Sequence, residues 1–93
     1  MVDTGLNDKH PVLSSAQLRL HRLEPAKGAQ PSERMHGTSV AALLVGEPGS
    51  RTPGLVPQAS LIAVDAFHKA GADERADAYA LIEALDYLAA QDV

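Results

Sequence analysis

Ala59-Ser60-Leu61-Ile62-Ala63-Val64-Asp65-Ala66-Phe67 is a nearly continuous apolar run containing Ile and Val. Such a run suits a strand buried on both faces of a parallel sheet, where no side is left to water. Upstream, Met35 to Val45 reads as a helix. Val40, Leu43 and Leu44 are spaced i, i+3, i+4 and predict its apolar face. Gly46 and Pro48 stop it. Between helix and strand, residues 47–57 form a loop rich in Gly, Pro and Ser.

Downstream, residues 68–72 read as a turn around Gly71, and residues 73–91 as a second helix. Ala78, Leu81, Ile82, Leu85 and Leu88 recur at helical spacing, and Asp73 and Glu74 suit the positive end of its dipole. Near the start, residues 1–5 read as a strand end and a turn, and residues 9–13 as a turn around His10-Pro11. Residues 14–35 are loop-like, except that the alternation in residues 17–23 is compatible with a short strand. Alternating strands and helices predict an α/β layer with a parallel sheet. Met1-Val2 is too short for a whole strand, and Asp92-Val93 reads as the approach to another. The expectation is a sheet cut through at both ends.

The 93 residues allow one domain at most, 45% hydrophobic with only three aromatics (Phe67, Tyr79, Tyr87). The core must therefore be aliphatic and alanine-rich. With 8 basic and 12 acidic residues, the net charge of −4 and the lack of a basic stripe argue against nucleic acid or an anionic membrane as partner. The absence of cysteine excludes disulfides, thiolate chemistry and cysteine-ligated zinc. No run reaches membrane-spanning length, and no signal-type segment opens the chain. The four histidines show no metal-ligand spacing. His10 reads as a structural turn residue, and His21 and His68 as solvated.

Chemistry is concentrated in two places. Asp3-Thr4-Gly5 follows the first strand, and His36-Gly37-Thr38 opens the first helix, 33 positions after Asp3. Strand C-termini and helix N-termini meet at one edge of an α/β sheet, which is where sites form. A carboxylate beside histidine fixes the imidazole tautomer and stabilises imidazolium while the ring takes a proton from a nucleophile. Asp3 and His36 are therefore the candidate catalytic residues. Ser39 follows in Gly37-Thr38-Ser39, but it falls inside the helix and reads as an ordinary first-turn residue.

These blocks resemble the N-terminal part of a subtilisin-like serine protease. Val2-Asp3-Thr4-Gly5 with His10-Pro11 and Leu13 resembles the segment around the family's catalytic aspartate. His36-Gly37-Thr38 with Val40-Ala41 resembles that around its histidine. Gly54-Leu55-Val56-Pro57 and Ala59 to Val64 resemble the loop and strand after that helix. The resemblance covers nearly the whole chain, in the family's order. It implies a partial three-layer fold, a parallel sheet flanked by helices. It implies a serine endopeptidase that uses no cofactor and hydrolyses peptide or protein substrates, within an exported or secreted parent. Asp3 would orient His36, which would act as general base and then acid. The family's serine and oxyanion Asn would lie beyond Val93, so this chain by itself is expected to be inactive. Gly71-Ala72 resembles the segment whose backbone pairs with extended substrate.

The chain departs from the family elsewhere. Val12 stands where calcium-stabilised members carry an Asp ligand, and the loop at 47–56 lacks Asn, so no metal site is assigned. Ser39 and Ala42 stand where histidine and glycine are frequent. Three other readings compete. Asp-Thr-Gly also marks aspartic proteases, which would require an all-β chain. An inactive pseudoprotease would retain Asp3 and His36 without the serine. A plain α/β binding module would not bring them together. Exposed sheet edges also predict self-association.

Overall fold

The computed structural model describes residues 1–24, 29–70 and 73–91. The run that begins at Ala59 forms the central strand of the main sheet. This strand, β4 (Ser60–Asp65), lies between β1 (Val2–Asp3) and β2 (Gln17–Arg22), and both pair with it in parallel. Being central, β4 finds hydrogen-bond partners on both sides, and Ile62 to Asp65 are all buried. The expected parallel α/β layer is present.

Side chains of β4 alternate between two apolar clusters, as the period of a strand dictates. Ala63 joins Leu6, Leu13, Ala41 and Val45 on the side of helix α1 (Met35–Val45). Val64 joins Ala66 and Ala84, with Tyr87 and Leu88, on the side of helix α2 (Ala78–Ala89). The two helices thus cover opposite faces of the sheet.

Helix α1 has the bounds that its stop signals predict, and Leu44 of its expected apolar face packs against the core, but the most deeply buried stripe is a different one. Gly37, Ala41 and Val45, spaced by four, are its buried residues, whereas Leu43 is 62% exposed. Small residues win because they let the helix approach the sheet closely. Gly46 ends the helix with φ −58°, an ordinary value. A β-carbon there would lie 2.5 Å from the carbonyl oxygens of Ala42 and Thr52, so a steric limit explains the glycine.

Helix α2 starts later than expected. Asp77 is its N-cap, accepting the Ala80 N–H at 2.7 Å. Asp73–Arg75 is instead a strand, β6, paired antiparallel with β5 (His68–Ala70). Asp73 and Glu74 therefore belong to a strand and not to the start of the helix, and residues 68–70 are not a turn. A short strand β3 (Gln30–Pro31) completes this second sheet in the order β3-β5-β6. The alternation in residues 17–23 does become β2, and the turn around His10-Pro11 is a 3-10 helix (Pro11–Leu13). The expected strand approach at Asp92-Val93 lies outside the described residues.

Candidate active site

Strand β1 ends at Asp3 and α1 begins one residue before His36, so both side chains stand at the same edge of the main sheet. His36 Nδ1 lies 2.7 Å from Asp3 Oδ1. Asp3 is also tied to its own turn, since Oδ1 accepts the Thr4 N–H at 2.6 Å. The structure brings the two sequence-predicted residues together.

The flanking motif residues interlock to make this possible. The first amides of α1 need acceptors, because a helix leaves its opening N–H groups unpaired. Arg34, the N-cap, provides none from its side chain. The Glu33 carboxylate accepts from Met35 N and, at 3.1 Å, from His36 N. Thr4 Oγ1 accepts the Gly37 N–H at 2.9 Å and donates to the Gly5 carbonyl at 3.0 Å. Thr38 Oγ1 accepts from Asn7 N at 2.8 Å. Asp-Thr-Gly and His-Gly-Thr thus meet through Thr4 and Gly37, and Thr38 ties the helix to Asn7 just past the first motif, leaving Asp3 and His36 to meet.

The local field favours a charged imidazole. The Asp3 hydrogen bond and then its charge raise the His36 pKa above the ordinary value of 6.5, with a smaller upward push from Glu33. Opposing desolvation is weak, since the His36 side chain is 67% exposed. An ionised carboxylate at Nδ1 keeps the proton on that nitrogen. In the neutral ring the lone pair is then on Nε2, which makes no hydrogen bond among the described residues. Chemically, Nε2 is set to accept a proton, and Asp3 to stabilise the imidazolium that results.

Among the described residues, no nucleophile meets that nitrogen. All six serines donate their hydroxyls elsewhere. Ser39 donates to the Met35 carbonyl at 2.9 Å inside α1, as an ordinary helix residue does. Ser14 and Ser15 donate to Glu47, Ser32 to Asp65, Ser50 to the Glu47 carbonyl and Ser60 to Gln17. The His36 ring faces solvent, whereas the Asp3 carboxylate beside it is largely covered, at 14% exposure.

The remaining site candidates fall out variously. Gly71 and Ala72 lie outside the described residues. His10 caps the 3-10 helix by accepting the Val12 N–H at Nδ1, 3.0 Å away. His21 is not simply solvated, because its ring stacks on Tyr87 at 3.8 Å between centroids. Among the described residues, no group of three or more His, Asp or Glu side chains is placed to hold a metal ion.

Sequence reasoning overlooked Glu33, Ser32 and Asp65. Asp65 had a visible signal, as the lone charge in the apolar run. It is 4% exposed and is the register partner of Asp3.

No family model, curated protein or solved structure matches this chain.

Proposed function

We propose that this chain is the N-terminal part of the catalytic domain of a subtilisin-like serine endopeptidase. Its parallel sheet and two helices would be the opening portion of the three-layer fold of that family. The observation that carries the reading is the 2.7 Å contact between His36 Nδ1 and Asp3 Oδ1, at the strand-end edge of a parallel sheet. The interlocked motifs around it support the same reading.

In the parent, a serine beyond Val93 transfers its hydroxyl proton to His36 Nε2 as its oxygen attacks the peptide carbonyl. Asp3 holds the ring and stabilises the imidazolium. His36 then returns the proton to the leaving amine, and water hydrolyses the acyl-enzyme by the same route. An Asn, also beyond Val93, supplies an oxyanion donor. Gly71 and Ala72 pair with the substrate backbone. No cofactor enters, and the parent acts after export.

The test is to extend the sequence past Val93 and express the longer chain. The reading expects an Asn and a Gly-Thr-Ser motif downstream, and labelling of that serine by a fluorophosphonate. His36→Ala should abolish the labelling. A downstream sequence without the serine would favour a pseudoprotease, and labelling that survives His36→Ala would overturn the triad.

A further inference from the structure

We propose that Ser32 and Asp65 are positioning residues for the Asp3–His36 couple, holding the turn that carries Asp3. Four hydrogen bonds define them. Gly5 N donates to Ser32 Oγ at 2.8 Å, and Ser32 Oγ donates to Asp65 Oδ1 at 3.0 Å. Arg22 Nε donates to Asp65 Oδ2 at 3.2 Å, and Phe67 N to Oδ1 at 3.3 Å.

The chain of donors has one direction. A serine hydroxyl has a single proton, and a carboxylate can only accept. Asp65 therefore takes that proton, and Ser32 has only a lone pair to offer the Gly5 amide. The bond to a charged acceptor is stronger than one between neutral groups, so the hydroxyl is held in place. Asp65 itself is buried at 4% exposure. A buried carboxylate is costly unless its oxygens are satisfied, and here the two oxygens have three donors.

Its position links it to Asp3. Asp3 and Asp65 are register partners on neighbouring parallel strands, so their side chains start from the same face of the sheet. The Asp3 carbonyl accepts from Ala66 N at 3.1 Å, which anchors the turn on one side. Ser32 anchors it two residues later, at Gly5. Between these points lie Asp3 and Thr4, the residues that meet His36 and Gly37. Gly5 comes so near that an added β-carbon would lie 2.9 Å from Asp65 Oδ2 and 3.3 Å from Ser32 Oγ. The glycine of Asp-Thr-Gly thus makes room for this support.

The catalytic meaning of the inference rests on the proposed triad, but its test reads the imidazole directly. The full chain is labelled with ¹⁵N, and the His36 ring is titrated in wild type, Ser32→Ala, Ser32→Thr and Asp3→Asn, with Ser39→Ala as control. Ser32→Ala changes no charge, so it reaches His36 only through geometry. The expected result is a His36 pKa lowered by at least half of the drop that Asp3→Asn causes, with Ser32→Thr close to wild type. A folded Ser32→Ala with the His36 pKa of the control would overturn the inference and leave the triad intact. An unmoved pKa in Asp3→Asn would instead sink the triad reading. Independently of any variant, the Gly5 amide of wild type should exchange at least about tenfold more slowly than an unstructured amide. Unprotected exchange there would also overturn the inference.

Discussion

Gly37 packs so closely on Gly5 that a β-carbon on Gly37 would run into the Gly5 carbonyl and lie 2.8 Å from that of Thr4. In most exposed helix positions, Gly→Ala stabilises by up to about 1 kcal/mol. Here the sign should reverse, because the new methyl must displace backbone. Gly37→Ala should destabilise by about 1–3 kcal/mol, the usual cost of overpacking. Urea denaturation midpoints of the two chains would measure it. An equal or higher midpoint in Gly37→Ala would contradict the contact.

The Asp3–His36 bond has a signed pH dependence. The His36 pKa is raised in the folded chain, chiefly by the Asp3 hydrogen bond. The stability it contributes is therefore fully present below the unfolded value, about 6.5, and is lost as pH rises through the folded value. Melting temperatures taken upward from pH 6 should fall across that interval in wild type. The corresponding fall should be smaller in Asp3→Asn. Parallel profiles would show that the pair does not couple to folding.

Burial separates two leucines on either side of the α1 interface. Leu6 is 1% exposed in the cluster beneath α1, and Leu43 is 62% exposed on the helix itself. Leu6→Ala should cost about 2–5 kcal/mol. Leu43→Ala should stay within about 0.5 kcal/mol of wild type. Comparable losses in the two variants would mean that α1 presents the face expected from the spacing of Val40, Leu43 and Leu44.

Helix α2 leaves Ile82 at 59% and Leu85 at 61% exposure, beside Leu81. Exposed apolar surface of this kind favours association. The chain should form oligomers with rising concentration in light scattering, and Ile82→Lys with Leu85→Lys should shift it toward monomer. A strictly monomeric wild type at high concentration would refute the expectation.

The chain itself should not hydrolyse peptides, since every serine hydroxyl is engaged away from His36. A fluorogenic peptide assay would show this as a background rate. Turnover that His36→Ala abolishes would overturn it.

The main sheet and α1 were legible along the chain because their signals are local. An apolar run at residues 59–67 leaves no polar face, and Gly46 with Pro48 ends a helix wherever it packs. Asp3 and His36 stood out because a strand end and a helix start bring them to one edge. Polar strands β5 and β6 carry no such signal. Their backbones pair only because β3 and each other are at hand. The same is true of the face α1 buries. Hydrophobic spacing pointed to Val40, Leu43 and Leu44, while close approach to Thr4 and Gly5 selected Gly37, and Ala41 and Val45 turn into the core with Leu6 and Leu13. Ser32 and Asp65 are separated by 33 positions, and only folding makes them one hydrogen-bonded unit. Spacing along a chain reports periodicity and caps. Which small residue must yield to a neighbouring backbone, and which buried acid finds its donors, depends on atoms brought together from distant segments.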